Sequence, residues 1–165
     1  MEGFQRLTAE NYAVFITTMQ ATFNNAAASV LGAGADVLPR ADIEASLTTP
    51  GAVAYQVVRN GQLLAGAIVV IDKSTQINHL DFLFVAPACQ GKGIGYQLWQ
   101  TIEQCYPATK IWLTATPWFD QRNLHFYINR CGFRAVRFYN DHFPDPDGPG
   151  NSKNDAMFEF EKVME

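Results

Sequence analysis

Residues 90–95 read Gln-Gly-Lys-Gly-Ile-Gly and stand between an apolar run and a segment of helical periodicity. Each glycine costs a helix about 1 kcal/mol against alanine, so three at a helix start need a compensating use. The chemistry such a stretch supports is anion binding. A helix N-terminus exposes unpaired N–H groups and the positive end of its dipole. Gly91, Gly93 and Gly95 carry no Cβ, so a phosphate can approach the backbone closely. Lys92 adds a flexible positive charge. Two other phosphate motifs do not fit. A P-loop needs G-x-x-x-x-G-K-[ST], whereas Lys92 is followed by Gly93, with no Ser or Thr for a magnesium ion. A dinucleotide-binding fold needs G-x-G-x-x-G and an acid at the end of the next strand. Here the spacing is G-x-G-x-G and the strand KIWLTAT (110–116) ends without a carboxylate. A ligand-free turn would also connect strand to helix, but it leaves the clustering of three glycines and a lysine unexplained.

The elements that must position this turn follow from periodicity. Phe4 to Leu7 suits a short strand. Tyr12, Phe15, Ile16, Met19 and Phe23 repeat at i, i+3, i+4, i+7 and i+11, one apolar helical stripe that ends at LGAGADVLP (31–39). Pro39 opens a second short helix with Ile43 and Leu47 inward. Three strands follow. Segment 52–58 runs into Asn60-Gly61, a hairpin signal, then 62–72 returns, and 76–86 leads to the glycines. Ile94, Leu98, Ile102 and Cys105 share a helical face that stops before Pro107. After the strand at 110–116, Leu124, Tyr127, Ile128 and Cys131 suggest a helix closed by Gly132. Segments 133–140 and 156–163 alternate as strands around a Pro/Gly/Asp-rich loop at 141–155. The order is β-α-α-β-β-β-α-β-α-β-β, a mixed α/β domain without a visible linker or repeat, over residues 1–165.

The 165 residues carry a formal charge of −4 and are 48% apolar. That predicts a folded chain and speaks against bulk nucleic-acid binding, which wants a basic surface. No apolar run approaches the ~20 residues that cross a bilayer, and the N-terminus lacks the pattern of a signal peptide. Cys89, Cys105 and Cys131 are odd in number and widely spaced, which predicts reduced thiols in a cytoplasmic protein rather than disulfides or a zinc site. His125 and His142 have no ligand-like spacing, so no metal is expected.

The strand LDFLFV, a proline, and then Gln90, Gly93 and Gly95 resemble the Q/R-x-x-G-x-G/A acetyl-CoA signature of the GNAT superfamily of N-acetyltransferases. RNLHFYINRCGF (122–133) is similar to that family's second signature, and the element order matches along nearly the whole chain. The resemblance implies a mostly antiparallel sheet whose two central parallel strands splay apart, flanked by helices. It implies acetyl-CoA as co-substrate, no metal, and a small-molecule or peptide amine as acceptor. The amine would attack the thioester directly in a ternary complex. A CoA-binding sensor without turnover is the alternative.

Carried over residue by residue, the resemblance implies that backbone around Phe84 and Val85 pairs with the pantetheine arm. The N–H groups of Gln90, Gly91, Lys92, Gly93, Ile94 and Gly95 would hold the pyrophosphate, and one near Val85 would polarise the acetyl carbonyl. Tyr127 matches the tyrosine that protonates the departing thiolate, and also falls on the helix's apolar face. Asn123 either contacts the cofactor or caps the helix. It precedes Tyr127 by four residues, whereas in many relatives the Asn lies about two turns earlier, the place Asp120 holds. Strand alternation puts His79, Asp81, Leu83 and Val85 on one face, which makes Asp81 and His79 candidate bases. Trp118 and Phe119 are candidates for the acceptor pocket.

Overall fold

The computed structural model describes residues 1–146 and 156–165. The segment 147–155, most of the loop expected at 141–155, lies outside the described residues. Seven strands form one sheet in the order β1-β2-β3-β4-β5-β7-β6. They are β1 (Phe4–Arg6), β2 (Ala52–Arg59), β3 (Gln62–Val70), β4 (Ile77–Val85), β5 (Ile111–Pro117), β6 (Arg134–Tyr139) and β7 (Met157–Val163). Every neighbouring pair is antiparallel except β4 and β5, which are parallel. The helices are α1 (Tyr12–Leu31), α2 (Arg40–Thr48), α3 (Ile94–Cys105) and α4 (Gln121–His125), the last continuing as a π-helical turn over Phe126–Arg130.

The local signals act as the chemistry requires. Asn60 and Gly61 both take positive φ, 51° and 72°, the turn that matches the twist of two antiparallel strands. Pro39 stands at the cap of α2 with φ −60°. Between β3 and β4, Asp72 gathers the backbone N–H groups of Ser74 and Thr75. These hydrogen bonds, with that of the Ser74 hydroxyl foremost, hold its carboxyl down at about 2.

The sheet separates two apolar layers. On one face α3 and the α4 segment pack over β2–β5 and β7, with Leu98, Trp99 and Ile102 against Val69, Trp112 and Phe160. Trp99 meets Trp112 edge-on, ring centroids 5.1 Å apart, an arrangement worth about 0.5–1.5 kcal/mol beyond the area it buries. On the other face α1 and α2 cover β3 and β4. Phe15, Ile16 and Met19, the predicted stripe, are fully buried there with Ile43, Ile68 and Phe84. Gly66 makes room for this layer. A Cβ at Gly66 would stand 2.3 Å from the Phe15 ring and 2.7 Å from that of Phe84.

Two departures from simple periodicity shape the site. In β4, Ile68 pairs with Phe82 but Val69 pairs with Leu80, so Asp81 is the extra residue of a β-bulge. Leu80 and Leu83 therefore both join the α3 layer, while Phe82 and Phe84 join the α1 layer. The single face expected for His79, Asp81, Leu83 and Val85 is broken, because an inserted residue reverses the alternation beyond it. The second departure is the π-helical turn, where Cys131 N–H donates to the Phe126 carbonyl at 3.0 Å. The wider turn buries Tyr127 and Cys131 but leaves Ile128 41% exposed, against the regular α-helical face expected. Gly132 then takes φ +80°, and Phe133 N–H reaches back to the Tyr127 carbonyl at 2.9 Å, closing the helix.

Candidate active site

Parallel pairing of β4 with β5 runs from Ile77–Ile111 to Leu80–Thr114 and stops. Beyond that rung β4 is paired on its β3 side only. Ala86 N–H donates to the Leu64 carbonyl at 2.8 Å, and Ala65 stands opposite Val85. Antiparallel alternation therefore turns the N–H and C=O groups of Leu83 and Val85 away from β3, into the gap. Those of Phe84 turn toward Gly66, so Phe84 offers the gap no backbone group and lends its ring to the wall.

The gap opens into a cavity of about 780 Å³ between α1, the end of β4, the glycine turn and the α4 segment. Gly91 (φ +79°) and Gly93 (φ +77°) both sit in the left-handed region, and a Cβ on either would point into open space. The two residues thus supply a turn that L side chains resist, and they keep the approach to the start of α3 clear. Gly95 has another purpose. Its Cβ would come within 3.2 Å of Val85 Cγ2 and 3.6 Å of the Phe126 ring, so it lets α3 begin close against β4. This cradle, with the free backbone edge of β4 behind it, fits a pyrophosphate carrying an extended arm.

The other expected residues fall as follows. Gln90 and Ile94 line the cavity. The Gln90 amide donates to the Val85 carbonyl at 3.0 Å and accepts from Arg122, so it ties the end of β4 to α4. Of Val85's two gap-facing groups, the N–H is left as donor. Lys92 is exposed at the tip of the turn, off the cavity wall. Asn123 lines the wall, and its Nδ2 reaches Thr116 Oγ1 at 3.4 Å. It is not the cap: Asp120 Oδ1 accepts from Asn123 N–H at 3.0 Å. Tyr127 is 4% exposed and packs among Phe126, Phe133 and Phe160. It adjoins Thr114, the last residue of β5 paired with β4, lies behind the cavity wall rather than on it, and burial pushes its phenol above the ordinary range. His79 is exposed on the lower half of β4, and Asp81 accepts from Ser46 Oγ of α2 at 2.6 Å. Neither lines the cavity. Phe119 does, at 6% exposed, whereas Trp118 does not and is 37% exposed.

Sequence reasoning did not select Asp120 as a site residue. Among the described residues it is the one carboxylate on the cavity wall. It is 6% exposed, and loss of hydration raises its pKa. Its seven-residue lead on Tyr127 was the available signal. Thr22, Phe23 and Ala26 of α1 also line the cavity. They were unreadable as site residues, because a helix face opposite a gap has no motif.

Residues 20–133 match the family described as Acetyltransferase (GNAT) family. The chain is 40% identical over 131 residues to Uncharacterized protein YrkN of Bacillus subtilis (strain 168), covering 74% of this chain and 71% of YrkN. It shares its fold with the ribosomal-protein-S18-alanine N-acetyltransferase of Escherichia coli, with TM-score 0.69 and 14% identity over 99% of this chain and 94% of that one. A similar likeness holds for the spermidine N-acetyltransferase of Vibrio cholerae in complex with CoA and spermine, with TM-score 0.68 and 12% identity over 97% and 94%. The parallel strands that part above Leu80, the glycine turn at their mouth and the match over residues 20–133 agree: this chain belongs to the GNAT acetyltransferase family.

Proposed function

We propose that the protein, acting as one acetyltransferase domain, moves an acetyl group from acetyl-CoA to an amine by direct attack in a ternary complex. The observation that carries this reading is the gap between β4 and β5, backed by free strand edge and opening onto the glycine turn. The N–H groups of residues 90–95 hold the pyrophosphate. The free N–H of Val85 pairs with the pantetheine arm, which brings the thioester toward Thr114 and Tyr127 at the foot of the gap. Gln90 stiffens this arrangement by occupying the Val85 carbonyl.

The neutral amine attacks the thioester carbonyl carbon. Negative charge gathers on the oxygen, where the next free N–H down the β4 edge from Val85, that of Leu83, donates. The C–S bond breaks, the electron pair leaves on sulfur, and the amide keeps the acetyl group. Tyr127 supplies the proton or hydrogen bond that the thiolate needs. A phenol whose burial raises its pKa keeps its proton at neutral pH, as a donor must. The ammonium proton leaves to Asp81 or His79 through water, or to Asp120 on the cavity wall. The acceptor enters from the α1 side, past Phe119 and Phe23. Amine acceptors are in keeping with the substrates named for the two enzymes of the same fold. Three free thiols suit a reducing, cytoplasmic setting.

Free-thiol release on mixing acetyl-CoA with a panel of amines tests the reading. Amine-dependent release with stoichiometric N-acetyl product is expected. Tight acetyl-CoA binding with no transfer to any amine, peptide N-termini included, would make the protein a sensor.

A further inference from the structure

Coenzyme A carries two separate anionic groups, the pyrophosphate and, one ribose away, the 3′-phosphate. The glycine turn accounts for one. We propose that Arg130, held over the ring of Tyr96, together with His125 forms the subsite for the 3′-phosphate. This inference rests on the acetyl-CoA reading above and adds to it the group that selects coenzyme A over its dephosphorylated form.

Tyr96 immediately follows Gly95, in the first turn of α3, and lines the cavity beside the cradle. Arg130 lines it from the π-helical turn, its guanidinium carbon 5.2 Å from the Tyr96 ring centroid. Stacking fixes the plane of the guanidinium and leaves its N–H edge for an anion. Among the described residues that edge has no hydrogen bond or ion pair. The ion pairs of the described residues use Arg40, Arg134, Arg137 and Lys162, and Arg122, the neighbouring cation on the wall, is bound to Gln90.

The π-helical turn explains why His125 belongs to the same subsite. Arg130 lies five positions after His125, more than one turn of an α-helix, but about one turn of this wider helix, so both reach the cavity wall. Asn129 Nδ2 donates to His125 Nδ1 at 2.8 Å, which leaves the hydrogen on Nε2 as a donor. In an acidic chain of net charge −4, a local cation such as Arg130, with the His125 donor beside it, is what receives a polyanion.

Calorimetric titration with CoA and with 3′-dephospho-CoA tests this without any acceptor. Wild type is expected to bind CoA about tenfold more tightly, the effect of a charge-assisted hydrogen-bonded phosphate contact. Arg130→Gln should bring the ratio close to one through loss of CoA affinity, with dephospho-CoA affinity nearly unchanged. Arg59→Gln, equal in charge change but remote from the cavity, should preserve the ratio. Equal wild-type affinities for the two nucleotides, or a full ratio in Arg130→Gln, overturns the subsite alone. Failure to bind either nucleotide overturns the acetyl-CoA reading and the subsite with it.

Discussion

The two halves of β4 are made of similar residues and behave differently. From Ile77 to Leu80 the strand is paired with β5, and at His79 and Leu80 with β3 as well, and Asn78 is fully buried, its Nδ2 donating to Thr109 at 2.7 Å. From Asp81 to Val85 it is paired with β3 only, and the bulge at Asp81 marks the change. The lower half uses its backbone hydrogen bonds to close the sheet. The upper half keeps donors and acceptors available along a cavity wall. A parallel pair that stops after four rungs places unsatisfied backbone where an extended ligand can satisfy it.

The glycines divide by what faces them. Gly66 lies on β3 in the packed layer beneath α1, and its missing side chain is filled by aromatic rings. Gly91 and Gly93 lie at the mouth of the gap, and nothing fills the space above them. Substitutions should therefore separate the two regions. Gly93→Val puts a β-branched residue at φ +77° and crowds the cradle. Strain of this kind costs on the order of 1–3 kcal/mol, so acetyl-CoA affinity should drop about 10²-fold with the sheet core intact. Calorimetry and near-UV circular dichroism check both halves of that statement, and an unchanged affinity in a folded variant would remove the turn from the site.

Tyr127→Phe tests the foot of the gap. It keeps the ring among its aromatic neighbours and deletes only the hydroxyl. With a working amine in hand, kcat should fall about 10²-fold while acetyl-CoA affinity holds. A kcat within a few-fold of wild type, with chemistry limiting the rate, would return Tyr127 to the core.

Gly66→Ala should do the opposite of Gly93→Val. Overpacking against Phe15 and Phe84 costs about 1–3 kcal/mol of stability, visible as a lower denaturation midpoint. Per-site acetyl-CoA affinity in the folded fraction should stay within about threefold. If affinity fell while stability did not, the two regions would not be independent. Lys92→Ala should have the smallest effect, at most a few-fold in affinity and fading at high salt, since an exposed lysine contributes at most about 1 kcal/mol. Loss of binding in this variant would make Lys92 the main anchor in place of the backbone.

Much of this molecule was legible in the sequence because it depends on neighbours in the chain. The α1 stripe, the Asn60-Gly61 hairpin, the glycine turn and the end of α3 before Pro107 all follow from short-range sterics and periodicity, and each stands where the spacing put it. Tertiary packing decided the rest. The bulge at Asp81 depends on register with β3, and it separates His79 and Asp81 from the face that Leu83 and Val85 use. The helix at 121–130 has α-helical spacing in sequence, yet packing draws its second half into a wider turn that buries Tyr127 and exposes Ile128. Asp120, not Asn123, caps α4, because the chain leaving β5 turns its carboxylate onto the Asn123 N–H. A periodicity reports which side of its own element a residue occupies. An inserted residue or a widened turn resets that side, and only the neighbouring strand or helix determines where the reset falls.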